Sequence, residues 1–276
     1  MGEKHRNTWK KIAALLFGSA FFFFGIPVFG NKQAEKETLI FCLEKNAYGW
    51  DKISSYTTYY NKNDGGRVEN IVIAAALIDG ATVQPYGEFS FNKTVGKRTE
   101  ESGFQQAKII VNGEYVLGVG GGVCQVSTTL YNAALKAGLS VTEWHPHSLQ
   151  VSYIAPSRDA MVSTESDLCF FNPHAYPVQI SAQVFEGGLR VCIFGKNEGF
   201  RYEVVSHVLG EIPPPEPIVK EGEEDKIIRS PKNGVKSEMY LERYYGEQLV
   251  SRKRLREDEY RPVQGIIVKK IGVPTN

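Results

Sequence analysis

The sequence predicts an α+β protein with an N-terminal membrane segment and a small all-β domain at its C-terminus. Three observations lead to this class. An uncharged, apolar run near the N-terminus follows a basic flank. Helical periodicity lies mostly before Gly138, and strand-like alternation follows it. Near Gly210 the composition shifts to a proline-rich, acidic stretch, beyond which apolar and polar residues alternate around glycine turns.

The composition is that of a globular protein without a bias toward a polyanionic partner. The chain has 276 residues, of which 42% are hydrophobic and 12% aromatic. This length and composition allow a sizeable core and about two domains. Lysine plus arginine (32) nearly balance aspartate plus glutamate (31), so the overall charge argues against nucleic acid as a partner.

Residues 1–31 are predicted to be a signal anchor or a signal peptide. The uncharged run at residues 12–30 has a length between that of a signal-peptide core and that of a spanning helix. Its basic flank is expected to stay in the cytoplasm, so the bulk of the chain is predicted to be extracytoplasmic. We favour a single-pass membrane anchor. Cleavage near "VFG" at residues 28–30 and a buried core helix are the alternatives.

The chain has four cysteines, which are few for an exported protein of this length, so disulfides are not its main source of stability. Cys169 and Cys192 lie in strand-like runs, and a bridge between them across a sheet is one option. C-x-x-C spacing of the kind that binds metals does not occur in the sequence.

The elements before Cys124 follow from local patterns. Residues 32–56 are expected to be a tether and lead-in with a short helix. Residues 65–80 carry apolar side chains at helical spacing and end at a glycine, which predicts a helix. Asn112-Gly113 between apolar stretches predicts a β-hairpin.

A helix that contains Cys124 comes next, with Gly138 at its C-cap. Beyond it, six strand-like runs predict an antiparallel sheet: LSVTEWHPHS, LQVSYIA, DAMVST, LCFFNP, YPVQISAQVF and LRVCIFG. These elements define an α+β domain at residues 57–197. Residues 198–276 are interpreted as a proline-rich connection and an all-β domain. The charge run at residues 252–261 carries both signs and is interpreted as a solvated strand face.

Cys124 stands at the start of its helix, and only Val123 separates it from Gly120, Gly121 and Gly122. Unpaired backbone N–H groups and the helix dipole favour an anion at this position, and a thiolate is such an anion. A cysteine with a lowered pKa is what nucleophilic catalysis needs. The spacing does not fit a P-loop or a dinucleotide-binding loop. A buried structural cysteine behind a tight turn stays open as the alternative.

Histidine and aspartate follow the cysteine in an order that suits catalysis. We expect His145 and His147 on one strand and Asp159 on the next. Cysteine at a helix start, then histidine, then aspartate is the order found in transglutaminase-like and papain-like folds. The same histidines, with Cys124 or Asp159 as a third ligand, are also a candidate zinc site. His174 is interpreted as a bystander.

Several motifs together resemble the VanW family: NIVIAAALIDGATV, GEFSFNKTVGKRT, GGGVCQVSTTLYNAALKAGL, HPHS, VSYIAPSRDAMV and DLCFFNP. The resemblance covers about residues 57–195. Residues 202–270, above all KNGVKSEMYLERYYGEQLVSRK, resemble the G-five extracellular module. This sequence departs from the family pattern at Glu143-Trp144, at Ser157, where a glycine is expected, and at an inserted Tyr86.

The resemblance implies an exported, anchored protein of the Gram-positive cell envelope. It further implies that the tail binds wall polymers or glycans that contain N-acetylglucosamine. It implies no established activity and no role in antibiotic resistance.

The resulting hypothesis is cysteine-dependent acyl transfer or amide hydrolysis on peptidoglycan or another envelope polymer. The catalytic residues are predicted to be Cys124, His147 and Asp159. Substrate binding is assigned to Gly120, Gly121, Gly122, Gln125, Arg158 and His145. The backbone N–H of Gln125 or of Cys124 is the expected oxyanion donor. No cofactor or metal is expected. A non-catalytic protein that binds the wall or a membrane partner is the alternative.

Overall fold

A computed structural model describes residues 44–111 and 113–270 of the chain. The described residues belong to one compact unit, Cys42–Asn276, and form three helices and fifteen strands. The described fold is therefore mostly β, with its helices in the first half. None of the described helices is long and apolar enough to cross a membrane. The membrane segment predicted at residues 12–30 lies outside the described residues.

A four-stranded antiparallel sheet with the order β1-β9-β8-β2 forms the centre of the first domain. Its strands are β1 (Asp51–Tyr59), β2 (Thr82–Val83), β8 (Val178–Phe185) and β9 (Gly188–Gly195). Helix α1 (Gly65–Ile78) packs against β8, and helix α3 (Val123–Lys136) packs against β1 and β9. Both helices occur where the periodicity predicts them.

Helix α3 is buried on nearly every side. Its apolar residues Val126, Leu130 and Ala133 belong to the main core. Buried polar residues tie the helix to the sheet, since the hydroxyls of Thr129 and of Thr58 on β1 are 2.8 Å apart. Gly138 follows the last turn with a φ of +74°, as a helix-ending glycine does. These contacts fix the position of the helix start, and with it Cys124.

Smaller elements surround this centre. Strands β3 (Glu88–Ser90), β7 (Cys169–Phe171) and β6 (Ser140–Glu143) form a second antiparallel sheet, and the short helix α2 (Phe91–Val95) follows β3. The predicted hairpin is confirmed: β4 (Gln106–Val111) pairs antiparallel with β5 (Glu114–Val119). The hairpin leads directly into the glycine loop before α3.

The C-terminal part is all β, as predicted. We call Phe200–Lys270 the C-terminal module. Its long sheet has the order β10-β13-β14, with β10 (Phe200–Ile212), β13 (Gly234–Tyr245) and β14 (Gln248–Tyr260). Its short sheet contains β11 (Ile218–Gly222), β12 (Lys226–Arg229) and β15 (Ile266–Lys270). Helix α3 also packs against β10, so the module is in contact with the first domain.

The lead-in at residues 32–56 is shorter than predicted. Its last residues, from Asp51 on, belong to β1, which pairs with β9 from Asp51↔Gly195 to Tyr59↔Gly188. Sheet pairing over this length satisfies the backbone hydrogen bonds that a tether would leave to water.

Two of the predicted strands do not form. Residues 149–155 and 159–164 lie in a long irregular segment between β6 and β7, as do His145, His147 and Asp159, which were expected on strands. Prolines interrupt this segment. Side chains also take the place of a strand partner: the backbone N–H of Ala160 donates to the Thr128 hydroxyl at 3.0 Å.

The option of a Cys169–Cys192 bridge is wrong. Cys192 takes part in a disulfide, whereas Cys169 is a free thiol. The two cysteines belong to different sheets, because Cys169 lies on β7 and Cys192 on β9.

Candidate active site

Cys124 occupies the first turn of α3, as predicted. The N-cap is Gly122, whose φ of +110° lies in the left-handed region that favours glycine. The thiol is partly buried and donates a hydrogen bond to the carbonyl of Val162, with 3.4 Å between the sulfur and the oxygen. The side chain therefore sits where the end of a helix stabilises negative charge.

The loop glycines are required by packing inside the protein. A Cβ on Gly121 would lie 2.6 Å from the carbonyl oxygen of Lys108, and a Cβ on Gly122 would lie 2.9 Å from that of Arg67. These glycines let the loop pass against β4 and α1. Packing inside the protein therefore explains the glycines at these two positions, without the substrate contact that the sequence predicted.

His147 and Asp159 form a buried pair. The imidazole Nδ1 of His147 is 2.6 Å from Oδ2 of Asp159, and the His147 backbone N–H donates to the same oxygen at 2.7 Å. The residues are 6% and 1% exposed. Two hydrogen bonds to one carboxylate oxygen fix the orientation of the ring, which leaves Nε2 free to face another group.

Cys124 interacts with this pair. Burial alone would raise the pKa of the Cys124 thiol, but a hydrogen bond from His147 and the charge of His147 outweigh burial and lower it. Burial would lower the pKa of His147, but its hydrogen bonds to Asp159 and Cys124 raise it to about 9. The structure thus brings together the three residues that the sequence singled out, and the electrostatics favour a thiolate–imidazolium pair.

Arg98 is a further cation that interacts electrostatically with Cys124, and no pattern in the sequence pointed to it. Its charge contributes to the lowered pKa of Cys124. The guanidinium donates to the carbonyl of Ser163 at 3.1 Å and to the Asn92 side chain. Its Nε is buried without a hydrogen-bond partner. A Cβ on Gly120 would come within 3.2 Å of Arg98 Cβ, so the arginine packs directly against the glycine loop.

Asp159 is held on its other side by the C-terminal module. Arg256 Nη1 donates to the Asp159 carbonyl at 2.7 Å, Arg256 Nη2 lies 3.3 Å from Oδ1, and the Tyr260 hydroxyl also donates to Oδ1. The prediction of a solvated face for residues 252–261 is therefore wrong for one side of β14. Along this strand Arg256, Asp258 and Tyr260 are buried, while the residues between them are exposed. The sequence shows this alternation of residues along the strand, but the charged side chains in it indicated a face exposed to solvent.

Two of the predicted substrate-binding residues have internal partners. The Gln125 side chain is buried and bonds to Thr58, and the Gln125 backbone N–H donates to the Gly122 carbonyl at 2.9 Å. Arg158 donates to Asn132 at 3.1 Å and lies over the ring of Tyr56. Neither side chain is directed at the sulfur by these contacts.

The histidines do not form the alternative zinc site. His145 pairs with Glu143 at 3.0 Å, whereas His147 pairs with Asp159. The part of the chain that the structure describes has no group of three histidine, cysteine, aspartate or glutamate side chains placed to hold a metal ion. His174 bonds to the Ala137 carbonyl at the opposite end of α3, in agreement with its interpretation as a bystander.

A cavity of about 320 Å³ lies near the C-terminal end of α3, whereas Cys124 lies near the N-terminal end of this helix. Its lining includes Lys136, His174 and Glu203. Lys136 and Glu203 neutralise each other at 2.7 Å. Cys124 lies in the first turn, at the other end of the helix, and is not among the residues that line this cavity.

Comparison with known proteins agrees with the motifs. Residues 66–194, which include Cys124, His147 and Asp159, match the family model described as VanW like protein. The chain is 39% identical over 163 residues to the uncharacterized protein YoaR of Bacillus subtilis (strain 168), which covers 59% of this chain and 52% of that protein. It is 24% identical over 116 residues to the vancomycin B-type resistance protein VanW of Enterococcus faecalis (strain ATCC 700802 / V583), over 40% of this chain and 42% of that one. The chain thus spans about half the length of the curated relatives it matches.

Two solved structures are similar to parts of the chain. One is the crystal structure of HP0197-G5, with 16% identity and a TM-score of 0.16, covering 25% of this chain and 96% of that chain. The other is the IgA1 protease G5 domain, with 22% identity and a TM-score of 0.19, covering 26% and 87%.

Proposed function

Given that residues 66–194 form a VanW-like domain, we propose that this protein is an exported, membrane-anchored protein of the cell envelope that carries out cysteine-dependent acyl chemistry. The reaction is hydrolysis or transfer at an amide of a peptidoglycan-type peptide. One observation carries the proposal: the buried His147–Asp159 pair, with 2.6 Å between Nδ1 and Oδ2, adjoins a thiol of lowered pKa at a helix start. The order of the three residues along the chain is the one found in transglutaminase-like enzymes.

In the first step the Cys124 thiolate attacks the carbonyl carbon of the amide. His147, already protonated, gives its proton to the leaving nitrogen as the C–N bond breaks, and a thioester forms at the sulfur. Water or an acceptor amine then attacks the thioester and passes a proton to His147, and the thiolate leaves. Asp159 holds the imidazole in position through both steps.

The charge that develops on the carbonyl oxygen needs donors. The Gln125 N–H is occupied by the Gly122 carbonyl, so we assign the oxyanion to the backbone N–H of Cys124. We assign the role of second donor to Arg98, whose charge acts on Cys124 and whose Nε–H has no hydrogen-bond partner within the protein. Arg98 replaces Arg158 as the arginine proposed to face the substrate.

The test is a search for the thioester on the full-length protein. The protein is mixed with peptidoglycan stem peptides, quenched with acid, and its intact mass is measured, with peptide mapping of any adduct. We expect an adduct on Cys124 that hydroxylamine removes. Cys124→Ser should lose it, and Cys169→Ser, which changes the other free thiol within residues 44–270, should keep it. If Cys124→Ser formed as much hydrolysed or transferred peptide as the wild type, the proposal would be ruled out.

The packing of Gly121 and Gly122 favours a second candidate, a non-catalytic protein that binds wall polymer and in which the glycine loop is a structural turn. Cosedimentation with purified peptidoglycan tests this candidate. Binding that Cys124→Ser retains, together with a Cys124 thiol inert to iodoacetamide until the protein unfolds, supports binding over catalysis.

A further inference from the structure

We infer that the C-terminal module completes the active site, with Arg256 and Tyr260 acting as positioning residues for Asp159. This inference rests on the proposed role of Cys124 and His147. It assigns to the module a function at the reacting centre, in addition to any binding of wall polymer. Neither residue lies within residues 66–194, the part of the chain that matches the family.

The two oxygens of the Asp159 carboxylate are divided between two parts of the chain. Oδ2 accepts from the ring and the backbone N–H of His147. Oδ1 accepts from the Tyr260 hydroxyl and faces the Arg256 guanidinium at 3.3 Å. The module therefore holds the oxygen that His147 does not use. With both oxygens bonded, the carboxylate cannot rotate away from the imidazole.

Arg256 is itself held rigidly. Its side chain is fully buried, its Nε donates to Asp258 at 2.6 Å, and its guanidinium lies over the Trp144 ring at 4.1 Å. Trp144 belongs to the segment that carries His147, and Asp258 belongs to the module. Burial raises the pKa of Asp159, but the hydrogen bonds and charges of His147, Arg256 and Tyr260 outweigh burial and bring the pKa below its ordinary value.

Arg256, Asp159, Asp258 and His147 form a buried cluster. Its positive and negative charges are equal in number when His147 is protonated. The buried carboxylates of Asp159 and Asp258 face one guanidinium, that of Arg256. An imidazolium at His147 supplies the second positive charge. Since a buried charge is costly unless it is paired, the cluster favours the protonated histidine that a thiolate–imidazolium pair requires.

The module also shapes the backbone next to Asp159. The Tyr260 hydroxyl accepts a hydrogen bond from the Ser157 N–H at 2.7 Å, and the hydroxyls of Ser157 and Ser237 are 2.7 Å apart. Ser157 has a φ of +61°, a conformation that is unfavourable for a residue with a Cβ. Contacts from the module thus stabilise the turn that delivers Asp159 to His147.

The experiment measures how the alkylation of Cys124 by iodoacetamide depends on pH in the full-length protein, with peptide mapping to separate Cys124 from Cys169. The test variant is Tyr260→Phe, which removes only the hydroxyl. Its matched control is Tyr240→Phe, which removes the hydroxyl that bonds Glu238 elsewhere on the same sheet. Circular dichroism establishes that both variants are folded.

We expect Tyr260→Phe to lower the rate at neutral pH about tenfold, the effect of losing about one hydrogen bond to a charged group. Its pH profile should move upward, and Tyr240→Phe should match the wild type. A contact that only docks the module would leave the profile of the folded protein unchanged, so a wild-type profile in folded Tyr260→Phe overturns the inference.

If Tyr260→Phe does not fold, Arg256→Lys takes its place, because it keeps the charge and loses the paired contacts to Asp159. Arg254→Lys, on the exposed face of β14, is then the control, and the same two outcomes decide. Alkylation needs no substrate. A missing thioester in the wild type together with a shifted profile in Tyr260→Phe would therefore refute the proposed reaction and still support the positioning role.

Discussion

At the scale of single residues, the state of Cys124 depends on a competition between burial and nearby positive charge. Burial disfavours a thiolate, whereas the helix start, His147 and Arg98 favour it, and the pKa of the thiol falls below its ordinary value. The interaction with Cys124 also helps to raise the pKa of His147, to about 9. The two protonation states therefore depend on each other.

Replacing His147 with alanine should reverse the balance at Cys124. Burial then remains while the hydrogen bond and the charge of the imidazolium are lost, so the pKa of the thiol rises. In the wild type, alkylation should reach its plateau before pH 9, where about half of the His147 side chains have lost their proton. In His147→Ala, the rate should still be rising there. His145→Ala, which removes the histidine paired with Glu143, is the control. Superimposable profiles for wild type and His147→Ala would contradict the pairing.

Arg98→Met should also raise the pKa of Cys124, because it removes a positive charge that lowers this pKa. We expect alkylation at neutral pH to slow by about three- to tenfold, in line with a partly screened charge interaction. Lys97→Met removes a neighbouring exposed charge and serves as the control. Equal rates for Arg98→Met and Lys97→Met would remove Arg98 from the site.

At the scale of elements, the glycine loop and α3 together fix the position of Cys124. The loop passes so closely between β4 and α1 that side chains are excluded at Gly121 and Gly122. The hydrogen bonds and packing of α3 against β1 then fix the direction of the first turn. The glycines thus contribute to function by allowing the helix start to lie where it does.

Gly121→Ala should destabilise the protein strongly. The added Cβ would lie 2.6 Å from the Lys108 carbonyl oxygen and 2.9 Å from atoms of Ala107, so the backbone of the loop or of β4 must shift. We expect the free energy of unfolding in urea to fall by about 2–4 kcal/mol. Gly65→Ala, where the Cβ meets open space, should change it by less than about 1 kcal/mol. Similar losses in both variants would show that the loop has room to relax.

At the scale of the whole molecule, Asp159 connects the two parts of the chain. It bonds to His147 in the first domain and to Arg256 and Tyr260 in the C-terminal module. Both the site and the contact between the parts therefore depend on the ionised carboxylate. Protonation of one buried group should weaken both.

This dependence predicts a loss of stability in acid. The pKa of Asp159 in the folded protein lies below its ordinary value of 3.8. Its contribution to the free energy of unfolding is therefore present above pH 3.8 and is lost as the pH falls through the lower folded value. Urea unfolding from pH 6 to pH 2 should show Asp159→Asn less stable than the wild type at pH 6, and the difference should shrink in acid. Asp64→Asn, at an exposed position, should run parallel to the wild type. A difference that stays constant with pH would refute the linkage.

Local patterns in the sequence determined α1, the β4–β5 hairpin, the start of α3 and the all-β character of the tail, because each depends on neighbouring residues. They also identified Cys124, His147 and Asp159, whose chemistry is visible in their types and order. They misjudged the segment between β6 and β7, where prolines and side-chain hydrogen bonds replace strand pairing.

Only the tertiary structure decided what surrounds the three residues. Arg256 and Tyr260 lie 97 and 101 residues from Asp159 in the chain, and strand alternation alone does not tell whether a buried face meets solvent, a core or a carboxylate. The need for Gly121 and Gly122 depends likewise on elements that approach from elsewhere. A sequence determines which groups can react, but their pKa values and orientation depend on contacts between distant segments, and those contacts exist only in the folded chain.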